Sequence, residues 1–121
     1  DVCSSDLQST VDRLASRDFV GHPDLEYPVI PSTAPGSAGF RSESYWRGPS
    51  WPVANWLIWW GLQSNGFSAP AERLRHANLQ LLSQPEANAA EYFHPFTGAP
   101  LGSRQQSWTA AVTLDWLARV A

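Results

Sequence analysis

Tyr45-Trp46-Arg47-Gly48-Pro49-Ser50-Trp51-Pro52, running on into Val53-Ala54-Asn55-Trp56-Leu57-Ile58-Trp59-Trp60, is the stretch whose reading decides the fold. An aromatic, proline-punctuated loop passes straight into a helix. Ser50 is the expected N-cap, and Pro52 falls in the first turn, where its missing N–H costs little. Asn65-Gly66 supplies the stop. Between these signals Val53, Trp56, Leu57 and Trp60 follow the i, i+3, i+4, i+7 spacing of one helix face, while Ile58, Trp59 and Leu62 make the other faces apolar as well. A helix apolar nearly all round is expected to be buried.

Working outward, Val11, Leu14 and Ala15 have helical spacing, so Gln8 to Phe19 reads as the end of a helix. Gly21 to Gly39 is rich in proline and glycine and lacks periodicity, which predicts a long ordered loop anchored by Tyr27, Val29, Ile30 and Phe40. Downstream, a helix is expected from Ser68 to about Gln84, carrying Leu74, Ala77, Leu81 and Leu82 inward and halted by Pro85. Glu91-Tyr92-Phe93-His94-Pro95-Phe96-Thr97-Gly98 reads as a loop with turns. A last helix is expected from about Gln106 to Val120, with Trp108, Ala111, Val112, Leu114 and Leu117 largely apolar. No strand pattern competes, and there is no fixed-period repeat. The fold class is all-α.

The chain has 121 residues, seven of them Trp, and a net charge of −3. That length allows one domain. The negative balance argues against a nucleic-acid or anionic-membrane partner, either of which would select a basic patch. No apolar run is long enough to span a bilayer, and the first residues lack the charged start and apolar centre of a signal peptide; the cytoplasm is the favoured compartment. Cys3 is the only cysteine, and His22, His76 and His94 lie far apart in sequence. Neither a disulfide framework nor a metal site is expected, and no cofactor.

Aromatic faces, a guanidinium and a carboxylate distributed over loops between helices are what a pocket needs to stack on a sugar ring and act on its anomeric carbon. The candidates are Tyr45 and Trp46 as stacking walls, Trp51 as a stacking wall or a core residue, Arg47 as a fork for an acidic aglycone or a partner for a structural carboxylate, and Glu91 as the reacting carboxylate. Trp56, Trp59, Trp60 and Trp116 are assigned to the core. Trp108 is expected to buttress the Glu91 loop, and His94, three positions after the carboxylate, to tune it.

Three ordered motifs, Tyr45 to Pro49, Glu91 to Pro95 and Ser107 to Ala110, resemble the C-terminal part of the six-hairpin (α/α) barrel hydrolases of glycoside hydrolase family 63, with the related mannosylglycerate and glucosylglycerate hydrolases; trehalases are more distant. The likeness extends from roughly Tyr27 to Leu117. This chain has His94 where the family often has Asp, Val53 where it has Asn and Gln106 where it has Phe, while Asn55 keeps the second asparagine usual in the inner helix. The resemblance implies an incomplete (α/α) toroid and an inverting hydrolysis of α-glycosidic bonds, with Glu91 as general base. It implies a small carbohydrate substrate, an α-glucoside or α-mannoside, glycerate-linked in some members. In the family the general acid is an aspartate well upstream of the tyrosine-tryptophan motif, and no carboxylate of this chain occupies that place.

Residues 1–7 look like the translation of a sequencing-library adapter, which leaves 8–121 as the C-terminal fragment of the barrel domain. The alternative is a Trp-rich helical module that binds carbohydrate or serves a structural role without catalysis. Glu91 separates the two.

Overall fold

The computed structural model describes residues 2–119, with side chains from residue 5 onward; the side chain of Cys3 and the expected helical residue Val120 lie outside that range. The described residues form four helices: α1 (Val2–Ala15), α2 (Pro52–Ser64), α3 (Ser68–Leu82) and α4 (Ser107–Ala118). Two short antiparallel strands, β1 (Tyr92–Phe93) and β2 (Pro100–Leu101), pair Tyr92 with Leu101 and Phe93 with Pro100. The all-α expectation holds, with this one hairpin inside the segment expected to be loop alone.

Helix α2 begins with Pro52, but its N-cap is Trp51, whose side chain makes no capping bond. Ser50, expected to cap, is buried instead and extended: it exchanges backbone hydrogen bonds with Phe93 (2.9 and 2.8 Å) and bridges to Pro31. The ladder Pro31–Ser50–Phe93–Pro100 takes Ser50 as a strand-like residue, and the helix starts one position later than expected, which leaves Trp51 at the N-cap. The C-terminal stop is as expected. Gly66 has φ +83°, Phe67 N–H donates to the Leu62 carbonyl (2.9 Å) and Gly66 N–H to that of Gln63 (3.2 Å), the two bonds of a Schellman motif.

The interior lies on a different face of α2 from the one its spacing suggests. Asn55, Trp59 and Leu62 are buried with Pro52, whereas Val53 and Trp56 are half-covered, Leu57 is 56% exposed and Trp60 55% exposed. The core is completed by Ile30, Ala71, Leu74, Val112 and Trp116. Helix α4 departs in the same way: Thr109, Val112 and Trp116 turn inward, while Leu114, Leu117, Ala111 and Trp108 are exposed. With apolar residues on every face, neither helix carries a polar contrast that could select the inward one.

Helix α3 follows its expected face, burying Leu74, Ala77 and Leu81 and ending at Leu82, ahead of Pro85. Its Arg75 is buried with them. The guanidinium donates twice to the Trp116 carbonyl (3.0 and 2.8 Å) and once to Glu72 (2.9 Å), so a cation sits at the carbonyl end of α4, where the helix dipole favours it. Helix α1 stops at Ala15, short of Phe19; Val20 N–H donates to the Leu14 carbonyl and Gly21 N–H to that of Ser16, turning the chain back.

The long loop is ordered because its apolar anchors are buried and its backbone is held from α2. Val29 and Ile30 are buried as expected, and the Asn55 amide grips Ile30 on both sides: Ile30 N–H donates to Oδ1 (2.9 Å) and Nδ2 donates to the Ile30 carbonyl (2.9 Å). Asn55 Nδ2 also donates to the Trp51 carbonyl (3.2 Å), and Asn78 Nδ2 donates to Asn55 Oδ1 (3.1 Å). The two bonds to Ile30 satisfy backbone groups that no helix or sheet reaches. The end of the loop is thereby delivered to the start of α2, where the aromatic motif lies.

Candidate functional site

The tyrosine-tryptophan motif and the Glu91 loop meet above the N-terminal end of α2. Trp51 is at their centre, 1% exposed, with its indole N–H donating to the Tyr45 carbonyl (2.9 Å). It stacks with Trp46 (centroids 3.7 Å, 8°) and with Tyr92 (4.8 Å, 24°), and makes a T-shaped contact with Tyr45 (4.8 Å, 84°). Edge-to-face contacts such as that with Tyr45 add roughly 0.5–1.5 kcal/mol beyond burial. Because Trp51 is covered, the open ring surface is that of Tyr45 and Trp46, which are 51% and 45% exposed. Trp51 supports the wall from behind.

Glu91 is half-buried beside this wall. Its Oε2 accepts the Ser103 N–H (3.2 Å), and its Oε1 lies 3.5 Å from the Tyr45 hydroxyl, a long contact at the limit for hydrogen bonding. The carboxylate is thus fixed through one oxygen and lightly held at the other. Tyr45 answers in its own titration: desolvation of the phenol against the ring cluster, and then the negative charge and hydrogen bond of Glu91, raise it above its ordinary value. No second carboxylate is among the hydrogen-bonding partners of Glu91 within the described residues.

Among the described residues four non-glycine residues have positive φ, Tyr45 (45°) in the site itself and Asn88 (45°), Ala89 (48°) and Gln105 (56°) in the segments beside Glu91 and α4. Such conformations are uncommon outside glycine and persist where the surroundings over-determine them. Here Gln105 N–H donates to the Asn88 carbonyl (2.8 Å), Gln106 N–H to that of Ala89 (2.9 Å) and buried Thr109 Oγ1 to that of Ala90 (2.9 Å). The start of α4 therefore holds the segment before Glu91 through backbone bonds. Trp108, expected as the buttress, makes a T-shaped contact with Trp51 (6.3 Å, 73°), and the tie to the segment before Glu91 is made by Gln105, Gln106 and Thr109.

Arg47 is placed apart from these groups. Its Nε donates to the Gly39 carbonyl (3.3 Å), while its backbone bonds with Arg41 and Ser44 close a tight loop. His94 serves the hairpin turn: Nδ1 accepts the N–H groups of Phe96 (3.2 Å) and Thr97 (3.3 Å), as an aspartate oxygen would at the start of an Asx turn. Histidine can thus do in this turn what an aspartate would. Gly102 and Ser103 lie beside Glu91 through backbone positions that no motif displays, and Tyr92, quoted within the Glu91 motif without a role, packs its ring on Trp51. Among the described residues no group of three His, Cys, Asp or Glu side chains converges as a metal site would require, and no helix is long and apolar enough to cross a membrane.

Known proteins resemble this chain in sequence and in fold. Over 99 residues the chain is 54% identical to the glucosylglycerate hydrolase of Mycolicibacterium hassiacum, an alignment covering 82% of this chain and 22% of that protein. The crystal structure of the family 63 mannosylglycerate hydrolase from Thermus thermophilus in complex with glucose superposes with a TM-score of 0.76 at 34% identity, covering 94% of this chain and 26% of that one. The same enzyme with Tris and D-glycerate gives 0.75 at 34% identity, over 93% and 25%. The chain spans about a quarter or less of the length of these relatives, and its helices correspond to part of their (α/α) barrel. Residues 4–109 match the mannosylglycerate hydrolase MGH1-like glycoside hydrolase domain, and the chain belongs to that family.

Proposed function

We propose that these residues form the base-bearing side of a glycoside hydrolase active site that cleaves a glycerate-linked α-glucoside or α-mannoside with inversion. The observation that carries this reading is the seat of Glu91: a carboxylate fixed through Oε2 and lightly held at Oε1, beside the exposed rings of Tyr45 and Trp46. Glu91 takes a proton from the attacking water through Oε1. Tyr45 and Trp46 present their rings to the C–H face of the sugar, and Trp51 keeps Trp46 flat. In an inverting enzyme the second carboxyl group stands about 6.5–9.5 Å from the base, leaving room for that water. We assign this acid to an aspartate of the complete polypeptide that precedes the Tyr45 motif. The substrate class is suggested by the relatives, whose names specify glucosylglycerate and mannosylglycerate.

The test is turnover of glucosylglycerate and mannosylglycerate by the polypeptide containing these residues, with and without Glu91→Gln. Loss of a general base is expected to lower kcat by about 10²–10⁴-fold. Proton NMR of the first-formed hexose should show the β anomer. Unchanged turnover in Glu91→Gln removes Glu91 from the role of base, and an α anomer formed first rules out inversion.

A further inference from the structure

We infer that Gly102 and Ser103 are positioning residues for the Glu91 carboxylate, and that they divide its two oxygens into a fixed one and a reacting one. The inference rests on Glu91 being the base. Ser103 holds Glu91 at both ends: its N–H donates to Oε2 (3.2 Å), and its carbonyl accepts the Glu91 backbone N–H (2.8 Å). Main chain and side chain of the base are therefore referred to one residue, which removes freedom at χ1 to χ3 together. A carboxylate that must meet a water at a defined angle gains from that restriction.

Gly102 makes the arrangement possible. Its φ is +71°, a left-handed conformation that side chains rarely adopt. A Cβ there would lie 2.5 Å from Tyr92 Cε1 and 2.8 Å from Glu91 Oε2. The hydrogen of glycine is thus the space in which the carboxylate and the ring of Tyr92 sit. Arg104 fixes this turn from its other side, donating to the carbonyls of Gly102 (2.7 Å) and Pro100 (3.0 Å). Ser103 N–H faces Oε2 because the backbone on both sides of it is constrained. Oε1, whose hydrogen-bonding contact is the 3.5 Å approach of the Tyr45 hydroxyl, is left to exchange that partner for water.

The experiment compares Gly102→Ala with Gly66→Ala. Gly66 has φ +83°, and a Cβ there would meet nothing within 4 Å, so its substitution imposes similar backbone strain in open space at the end of α2. In the polypeptide containing these residues, Gly102→Ala should lower kcat roughly 10- to 100-fold with KM within about twofold, while Gly66→Ala should lower thermal stability alone. Gly102→Asn eases the backbone conformation but keeps the Cβ contact, so it should not restore kcat. Amide hydrogen exchange of Ser103 supplies a readout independent of turnover. It should quicken at least about tenfold in Gly102→Ala and in Glu91→Ala, and stay unchanged in Gly66→Ala. Unchanged Ser103 exchange in Gly102→Ala, or full rescue of kcat by Gly102→Asn, overturns the positioning role. Loss of the base assignment would show separately, as full turnover in Glu91→Gln.

Discussion

Asn55→Ala tests how the fold delivers the aromatic motif to its place. The amide makes four hydrogen bonds in a dry region, two of them to the N–H and C=O of Ile30, both at 2.9 Å. Truncation strands those two backbone groups, because Ile30 is buried and belongs to neither helix nor strand. An unsatisfied buried polar group costs roughly 1–3 kcal/mol, which places the loss at about 3–4 kcal/mol after partial relaxation. The Trp51 carbonyl loses less, since it still accepts the Asn55 backbone N–H (2.9 Å), and Asn78 keeps its bond to the Leu74 carbonyl. Against a total stability of roughly 5–15 kcal/mol the effect is large. Urea unfolding measures it: with m near about 1.5–2 kcal/mol/M the midpoint should fall by about 2 M. Asn55→Asp should fare no better, because it keeps the acceptor but replaces the donor facing the Ile30 carbonyl with a buried charge. A loss below about 1 kcal/mol at unchanged m, with Ile30 amide exchange unaltered, would refute the idea that this amide organises the loop.

Arg75→Lys should destabilise the chain by about 2–3 kcal/mol in the same assay, because a single ammonium cannot reproduce the fork that joins the Trp116 carbonyl to Glu72; a change below about 0.5 kcal/mol would count against it. Asp115 is held below its usual range first by the hydrogen bond from Arg119, then by that from the Trp56 indole and by the Arg119 charge, with desolvation opposing. A depressed folded-state value means that its contribution to stability is present above the unfolded value of 3.8 and is lost as pH falls through the lower folded value. Melting curves between neutral and acid pH should accordingly converge for wild type and Asp115→Asn at the acid end and diverge toward neutral. The Tyr45 phenol should ionise above its ordinary value in a spectroscopic titration, and Glu91→Gln should lower that value only in part, because desolvation is the larger cause.

What the residues disclose in advance depends on the kind of physical signal each position carries. Helix α3 was legible because it has two unlike faces: Leu74, Ala77 and Leu81 against Glu72, Arg73 and His76. Helix α2 offers no such contrast, and its best-spaced apolar set, Val53-Trp56-Leu57-Trp60, is the less covered one, while the buried set includes the polar Asn55. Period alone locates a helix but cannot choose between two apolar faces, and an asparagine looks like an outward residue until the unpaired backbone of Ile30 opposite it is known. The site divides along the same line. Tyr45, Trp46, Trp51 and Glu91 could be named as candidates because the chemistry proposed for them is in their side chains. Ser103 and Gly102 act through an N–H and through the absence of a Cβ, and neither property distinguishes them from other turn residues until the chain has folded. Even the exchange of aspartate for His94 becomes intelligible only through geometry, since Nδ1 accepts the two N–H groups of the turn. Motifs of side chains therefore identify which surfaces meet, whereas the accuracy with which Glu91 is held comes from backbone groups that no motif displays. It follows that substitutions at Gly102 should be worse tolerated than those at Arg47, although Arg47 belongs to the more conspicuous motif: its side chain rests on the Gly39 carbonyl, while a side chain at Gly102 displaces the carboxylate itself.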